Sequence, residues 1–395
     1  MKNLAQVQSF MRERGIDAWL IYDFRASNAV LARVLPGKRW TTRRVYLWIP
    51  SSGEPEVLAH HIDASQFESG PVKTTRYLTW PEIRTWLAAR TAGLTRVAME
   101  YAPGCTLPVV SIADAGTVEM VRSLGVEVVS SADLIQYHVA RWSAEAIANH
   151  AIAAGKTSQI MQDAFAKIRH HLASGAALNE YQMQQFILAR FAEEGMEYNG
   201  EPICAVNGHS GDPHFEPTAA AASSPESQIK NGDWILIDLW ARLPGEDNIF
   251  SDITWVGFAG SSVTGKHRAV FDAVKRARDA SVKLAQTEWR ARRKIQGWQL
   301  DDAARLEIIR SGFETGLRHR TGHSLSPGPL VHGYGVNLDN LETHDTREIL
   351  PGLGWTVEPG IYGSDFGVRL ELNMFCDAAK GPIITSCVQD EPVLV

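Results

Sequence analysis

WILID, residues 234–238, is an apolar run that ends on a carboxylate, and it predicts a buried β-strand with Asp238 at its polar end. The turn-rich segment LPGEDN, residues 243–248, follows it and leads into SDITW, residues 251–255. This order predicts a β-hairpin that brings Asp238 and Asp252 together. Burying an unpaired carboxylate costs roughly several kcal/mol, so we expect a metal ion to compensate the pair.

Two further acidic candidates lie downstream, each beside a strand-like run. Glu358 closes the run WTV, residues 355–357, and Pro359-Gly360 after it cannot continue a β-ladder. Glu371 follows Arg369 by two positions, so on a strand both side chains point to one face. The arginine can then hold a carboxylate in place beside a metal ion.

One imidazole completes the candidate ligand set. His323 follows Gly322, and the small residue allows a close approach of the backbone. Any one of these acidic residues, taken alone, would more often be a solvated or capping carboxylate. Four carboxylates and one imidazole together suit two divalent ions that share a water, which is typical of a hydrolase. The five residues are Asp238, Asp252, His323, Glu358 and Glu371.

The ordered motifs that contain these residues resemble those of the pita-bread metallopeptidases, a family that includes methionine aminopeptidase, aminopeptidase P, prolidase and the metal-free creatinase. The resemblance covers roughly residues 145 to 395 and implies an α+β pita-bread catalytic domain. Its motifs are IDL (237–239), SDIT (251–254), TGH (321–323), VH (331–332), TVEPGIY (356–362) and GVRLE (367–371).

The part of the chain before this region alternates strand-like and helical segments, which predicts a smaller α/β domain over residues 1–140. The resemblance identifies it as a creatinase-type N-terminal domain, followed by the catalytic domain over residues 141–395. We expect first-domain strands at 18–22, 45–49, 57–59, 97–100 and 126–129, with helices at 3–14 and 109–124. We expect second-domain helices at 143–166, 181–194, 263–291 and 301–312.

Composition sets limits on the function. The 395 residues carry a formal net charge of −6 without a basic block, which argues against a nucleic-acid partner. Its four cysteines lie far apart without CxxC spacing, as is usual in a reducing compartment. No apolar run approaches the ~18 residues of a membrane span. We therefore expect a cytoplasmic protein that binds no membrane.

The resemblance also implies roles for residues around the ligands. Glu358 would be both a ligand and the general base, and His332 and His214 would contact the substrate and stabilise the oxyanion. The ligand set would hold two divalent ions per subunit, and Mn, Co or Zn would each fit it. A separate zinc site made of His209, Asp212 and His214 is a weaker alternative.

Departures from the family pattern fall near the substrate. The two aspartates are 14 positions apart here and eleven in most relatives, so the hairpin is longer. The segment between His323 and His332 is also longer than usual. His344 stands where many prolidases have an arginine, although Arg347 is near it, and Gly200 stands where they have a tyrosine. His344 and Arg369 are therefore candidate substrate contacts.

The resemblance to the pita-bread metallopeptidases implies an enzyme that hydrolyses Xaa-Pro dipeptides, as a prolidase does. An aminopeptidase P-like enzyme acting on longer peptides is the main alternative, and a metal-free scaffold or binding protein is an alternative of another class. Relatives pair so that one first domain closes over the other site, so we expect a homodimer. The loop PGKRW, residues 36–40, would form the lid, with Lys38 and Arg39 as cationic donors and Trp40 as an apolar wall.

Overall fold

The computed structural model of this protein describes residues 3–35, 37, 39–263 and 265–395. The chain divides into two compact units, Met1–Val139 and Ala140–Val395. In the described part of the chain, no helix combines the length and the apolar character that crossing a membrane requires.

Unit 1 is an α/β layer built on one mainly parallel sheet. Its strands are β1 Ala18–Phe24, β2 Arg44–Pro50, β3 Glu56–His60, β4 Lys73–Tyr77, β5 Arg96–Met99 and β6 Glu127–Ser130. Its helices are α1 Leu4–Glu13, α2 Ala29–Val34, α3 Ser65–Glu68, α4 Trp80–Thr91, α5 Ala115–Arg122 and α6 Ala132–His138. The sheet order is β4-β3-β2-β1-β5-β6, and β2 runs antiparallel to both of its neighbours.

The sequence-based expectation for unit 1 was wrong in two details. The helix expected over residues 109–124 begins only at Ala115, because the side chain of Asp114 accepts a hydrogen bond from the backbone N–H of Thr117 and caps it there. Strand β4 was missed, because KTTRY is polar and its side chains are mostly accessible at the edge of the sheet. The alternation of polar and apolar residues is a weak predictor of strands at the edge of a sheet, because few of their side chains are buried.

A buried carboxyl group lies in the core of unit 1. Glu100 is fully buried, and it accepts hydrogen bonds from Trp19 Nε1 at 2.8 Å, Ser131 Oγ at 3.0 Å and Asn28 Nδ2 at 3.2 Å. Burial raises the pKa of Glu100 from 4.5 to about 7, although the three donors oppose this effect. The charged form therefore costs folding free energy at neutral pH.

We expect this carboxyl group to make stability fall as pH rises. Because the folded-state pKa is the higher one, its contribution is complete below about 4.5 and is lost as pH rises through about 7. Across that pH range, the free energy of unfolding of the wild type should fall by about 3 kcal/mol more than that of Glu100→Gln, because each pKa unit corresponds to about 1.4 kcal/mol. Urea titrations at several pH values measure it. Glu119→Gln, an exposed site on α5, is the control, and equal slopes for the two variants would contradict the assignment.

Unit 2 has the α+β pita-bread fold that the sequence predicts. Its helices are α7 Ala144–Ser174, α8 Glu180–Glu193, α9 Gly265–Arg290 and α10 Gly297–Arg310. Its strands are β7 Ile203–Val206, β8 Trp234–Ala241, β9 Ser251–Phe258, β10 Ser324–Leu325, β11 Gly354–Val357, β12 Gly360–Tyr362, β13 Gly367–Arg369, β14 Leu372–Asp377, β15 Gly381–Ile384 and β16 Val393–Leu394. The sheet orders are β16-β9-β8-β7, β10-β11-β14-β15 and β12-β13.

Alternation along β8 decides which side chains face the site. Ile235 and Ile237 pack in the core cluster that includes α7 and α8, whereas Trp234 and Leu236 pack in the cluster that includes α9 and α10. Asp238 therefore lies on the same face as Trp234 and Leu236, which is also the face next to β12 and β13. The side chain of Ser143 caps α7 by accepting a hydrogen bond from the backbone N–H of Ala146.

Candidate metal centre

Strands β8 and β9 form the expected hairpin and bring two aspartates to one face. Asp238 pairs with Thr254 across the hairpin, and Trp240 pairs with Asp252. The two carboxylates are thus diagonal neighbours on adjacent strands, a relation that keeps side chains within reach of each other. Asn373 on β14 fixes Asp252 from the other side, because its side-chain oxygen accepts the backbone N–H of Asp252 at 3.0 Å.

Thr254 joins the hairpin to the chain around Glu371. Its hydroxyl donates to Glu371 Oε2 at 2.8 Å and accepts from Arg369 Nε at 3.0 Å. Arg369 Nη2 donates in turn to Asp238 Oδ2 in a buried ion pair. Strand β13 ends at Arg369, so Glu371 is not on the same strand as expected, yet both side chains meet at Thr254. Arg369 therefore orients an acidic ligand candidate directly.

His323 presents one ring nitrogen to the acidic residues. Its Nδ1 lies 3.2 Å from the backbone oxygen of Ser324, which fixes the proton on Nδ1 and leaves the Nε2 lone pair free. Nε2 lies 3.4 Å from Asp252 Oδ2 and 3.4 Å from Glu358 Oε1. A Cβ atom on Gly322 would come within 2.1 Å of the Thr356 carbonyl oxygen, so only glycine permits this approach.

Glu358 is held by its own strand and by the segment before His323. The hydroxyl of Thr356 donates to Glu358 Oε1 at 3.0 Å, and the Glu358 backbone N–H donates to the Thr321 oxygen at 2.7 Å. The same Thr356 hydroxyl accepts the backbone N–H of His323 at 2.9 Å. One threonine therefore sets the position of the imidazole and of the carboxylate together.

The four carboxylates are close enough to disturb one another electrostatically. Burial raises the pKa of Asp252 well above its ordinary range, and the neighbouring Asp238 and Glu358 raise it further. Burial likewise raises the pKa of Glu371, followed by the charges of Asp252, Glu358 and Asp238. Like charges buried this closely destabilise the fold unless cations balance them.

The donor set fits divalent metal ions. Ligand atoms of Asp252, His323 and Glu371 all lie within 4.8 Å of one another. Within the described residues, Asp238 Oδ1 and Glu371 Oε1 are buried without a hydrogen-bond partner, although such atoms are normally satisfied. A metal ion is the partner that would satisfy both oxygens, and hard carboxylate oxygens with one imidazole suit Mn, Co or Zn.

Two further histidines lie next to the ligand candidates. The ring centroids of His332 and His323 are 4.0 Å apart. The adjacent His323 imidazole lowers the pKa of His332, followed by burial and then by Arg320 and His214. Because His332 is partly exposed to solvent, we attribute the lowering to the neighbouring imidazole more than to burial. His214 is also exposed, on the loop after the 3-10 helix Asn207–Gly211.

A chain of polar contacts that the sequence did not predict lies behind Asp238. The hydroxyl of Tyr362 lies 2.7 Å from His319 Nε2 and accepts from Arg369 Nη1 at 3.1 Å. Tyr362 and His319 thus support the arginine that pairs with Asp238. The signal was the YG that closes TVEPGIYG, but a tyrosine after two apolar residues is also typical of a plain core strand.

Other residues singled out from the sequence have separate partners. His344 Nδ1 lies 2.8 Å from Asn340 Oδ1, and its ring is 5.3 Å from that of Trp298. Arg347 is buried in an ion pair with Asp345 at 2.7 Å. His209 Nδ1 lies 2.9 Å from Glu180 Oε1, so its ring is engaged away from a site with Asp212 and His214. None of these contacts joins the five ligand candidates within the described residues.

The residues expected to form the lid, 36–40, belong to unit 1. Arg39 Nη1 donates to the Leu35 oxygen at 2.6 Å, and its guanidinium lies 5.0 Å from the centroid of the Phe67 ring. Trp40 is 78% exposed, which is unusual for a side chain of this size. Pro36 and Lys38 of the same loop lie outside the described residues.

Comparison with known folds agrees with this geometry. The prolidase from Pyrococcus horikoshii OT3 is 20% identical, with a TM-score of 0.65 and 100% of each chain covered. Dipeptidase PepE from Mycobacterium ulcerans is 19% identical, with a TM-score of 0.72, covering 99% of this chain and 96% of that one. The X-Pro aminopeptidase from Thermotoga maritima MSB8 is 19% identical, with a TM-score of 0.63 and 100% of each chain covered.

These identities establish the fold alone. A search of curated protein sequences gave no significant match. The model of metallopeptidase family M24, however, matches residues 148–378, which is more than half of the chain and includes all five ligand candidates. The resemblance inferred from the motifs is thereby confirmed, and the protein belongs to metallopeptidase family M24.

Proposed function

We propose that the protein is a dinuclear metallopeptidase that hydrolyses Xaa-Pro bonds, with dipeptides as its preferred substrates. The observation that carries this proposal is the convergence of the five ligand candidates, with two buried carboxylate oxygens lacking a protein partner. The complete ligand set argues against a metal-free scaffold. Similar structures described as a prolidase, a dipeptidase and an X-Pro aminopeptidase support the substrate class.

Two bound divalent ions would supply Lewis acidity and lower the pKa of a shared water toward neutrality. Asp238, Asp252, His323, Glu358 and Glu371 would hold them. Glu358 acts as the general base, because Thr356 anchors its Oε1 and leaves Oε2 to take the proton of the attacking water. The neutral ring of His332 donates a hydrogen bond to the oxyanion, and His214 contacts the substrate beside it.

An Xaa-Pro bond places a particular demand on a peptidase. Its nitrogen carries no hydrogen, and the proline ring fixes the backbone. Recognition must therefore rely on the free amine, the scissile carbonyl and the terminal carboxylate. In this chain His344 stands where many prolidases have an arginine, and the nearby Arg347 is engaged in an ion pair with Asp345.

Assays on three substrate classes test the proposal. The metal-reconstituted protein should cleave Xaa-Pro dipeptides with a higher kcat/KM than Xaa-Pro-Xaa peptides, and should not release methionine from Met-Xaa-Xaa. A preference for Xaa-Pro-Xaa would favour the aminopeptidase P-like alternative. Absence of cleavage of all three classes with two ions bound would refute the proposed activity.

We also propose a homodimer in which Trp40 of one subunit helps to close the catalytic site of the other. Trp40 is accessible on the surface of unit 1, as a contact with a second subunit requires. Arg39 contributes less, because Leu35 and Phe67 engage its guanidinium within unit 1.

The four free cysteines are consistent with a cytoplasmic location.

Substitution of the lid residue should change substrate binding and leave metal binding unaltered. Trp40→Ala should raise KM for Xaa-Pro several-fold at constant metal content, since it removes an apolar contact with the substrate. Arg39→Ala should have a smaller effect. Steady-state kinetics and sedimentation measure the two properties. A fully active monomer at micromolar concentration would exclude this lid.

A further inference from the structure

A cavity lies wholly within unit 1. It has a volume of about 470 Å³, within the usual range for small-molecule sites. The carboxyl ends of β1, β3 and β4 form it, together with the start of β2 and the beginning of α4. In open α/β sheets, ligands bind at the carboxyl ends of the parallel strands. Its place in the fold is therefore that of a ligand site.

The floor of this cavity is one row of side chains across the sheet. Phe24 pairs with Arg44, and His60 pairs with Tyr77. Arg44 comes beside His60, because the next residue pair along these two strands joins Val45 to Ala59. The residues directly opposite each other share a face of the sheet, so their side chains point the same way. A cationic and an aromatic surface thus lie side by side.

Two arginine side chains, Arg43 and Arg44, line this cavity. Within the described residues, neither Arg43 nor Arg44 forms an ion pair, although the chain as a whole has a net charge of −6. The one side-chain hydrogen bond of Arg43 goes to the Thr42 hydroxyl at 2.8 Å. Two acidic side chains near the cavity have other partners, because Asp63 accepts the backbone N–H groups of Thr42 and Arg43, and Asp114 hydrogen-bonds to Tyr22.

His60 adds a directed donor. Its Nδ1 accepts the backbone N–H of Ile62 at 3.3 Å, which places the ring proton on Nε2. The ring is held edge-on against Tyr77, with centroids 5.1 Å apart. Two guanidinium groups and an imidazole N–H form a set of donors suited to a carboxylate.

The rim of the cavity is apolar and accessible. Leu78 is 62% exposed, Trp80 is 72% exposed and Phe24 is 43% exposed. The Glu82 carboxylate accepts the backbone N–H groups of Leu78 and Thr79 at the start of α4. The combination of an apolar rim and a cationic floor fits a ligand with both characters.

We propose that this cavity binds an organic acid, with its carboxylate on Arg43, Arg44 and His60 and its apolar group against Phe24, Leu78 and Trp80. The same chemistry occurs in a free aryl or alkyl carboxylic acid and in the C-terminal residue of a peptide. The site is separate from the hydrolytic reaction proposed for unit 2, and it gives the N-terminal unit a binding role of its own.

Calorimetric titration of the metal-loaded, full-length protein with 3-phenylpropionate tests this site. We expect saturable binding, and we expect the neutral amide 3-phenylpropanamide to bind at least about tenfold more weakly, because it lacks the charge. Arg44→Gln should weaken binding of the acid by about tenfold or more. The matched control is Arg76→Gln, on the same sheet, whose guanidinium is paired with Glu68.

A second variant tests the same site in case Arg44→Gln fails to fold. Trp80→Ala removes an exposed side chain and should weaken binding of 3-phenylpropionate several-fold without changing that of acetate. Asp252→Asn should bind 3-phenylpropionate as the wild type does, which separates this cavity from the metal centre. A peptide ending in phenylalanine, compared with its C-terminal amide, distinguishes a peptide terminus from a free acid as the source.

Any one of the following binding results would overturn the proposal. They are equal binding of the acid and its amide, unchanged binding by Arg44→Gln, loss of binding in Asp252→Asn, and inorganic phosphate binding as tightly as 3-phenylpropionate. If no acid binds and Arg44→Gln instead changes the sedimentation coefficient, the cavity is an interface between copies of the chain and the proposal fails.

Discussion

Asp252→Asn should abolish hydrolysis of Xaa-Pro substrates, with a loss in kcat/KM of more than about 10³-fold. Asp252 Oδ2 lies 3.4 Å from His323 Nε2, and the charges of Asp238 and Glu358 add to the burial that raises its pKa, so Asp252 lies within the set of residues that would hold the ions. An amide has the same shape but carries no negative charge, and bound metal should fall to one ion per subunit or none. Metal analysis of the purified variant and assay with excess Mn, Co or Zn give the two measurements.

The fold of this variant should persist, which makes the result interpretable. Asp252→Asn removes one of four clustered charges, so the metal-free variant should unfold at no lower a temperature than the metal-free wild type. Asp272→Asn, a half-buried site on α9, is the matched control and should keep full activity and both ions. Full activity in Asp252→Asn would refute the dinuclear centre.

Residues whose function depends on one local segment were predictable. The apolar run before Asp238 and the turn before Asp252 specify a hairpin, and the hairpin alone fixes the diagonal relation of the two carboxylates. The close approach at Gly322 was predictable for the same reason, since a small residue before an imidazole marks it. In each case neighbouring residues along the chain carry the whole signal.

Residues whose function depends on distant segments were not predictable from local pattern. Thr254 looks like an ordinary strand residue, yet its hydroxyl joins Glu371 and Arg369, more than a hundred positions away. Tyr362 likewise becomes informative only when Arg369 and His319 are seen beside it. Such contacts form when the sheets pack together, and no periodicity records them.

The departures from the family pattern also have physical reasons in the structure. A Cβ atom on Gly200 would come within 2.7 Å of the Trp240 ring, so Trp240 occupies the space of the missing side chain. The two longer segments meet each other, because Gly328 donates its backbone N–H to the Glu246 oxygen at 2.8 Å. Arg242 supports this contact by donating to the Gly328 oxygen. The sequence alone does not show that these two segments contact each other.

The role proposed for His332 in catalysis can be tested separately from the role proposed for His323 in metal binding, although the two ring centroids are only 4.0 Å apart. Nδ1 of His323 is held by the Ser324 oxygen and its Nε2 points to the acidic ligands, whereas His332 is open to solvent on the substrate side. His332→Ala should therefore lower kcat by about 10²-fold or more, as expected when an oxyanion donor is lost, with both ions retained.

The distinction between kcat and KM makes this last experiment decisive. An interaction made only in the transition state lowers kcat and kcat/KM equally, so KM for the Xaa-Pro substrate should stay within a few-fold of the wild type. His170→Ala, an exposed site on α7, is the control and should leave both constants unchanged. Loss of a metal ion from His332→Ala with normal kcat would mean that His332, and not His323, is the imidazole ligand. Because Thr356 and Ser324 both position His323, we expect the ions to stay and the rate to fall.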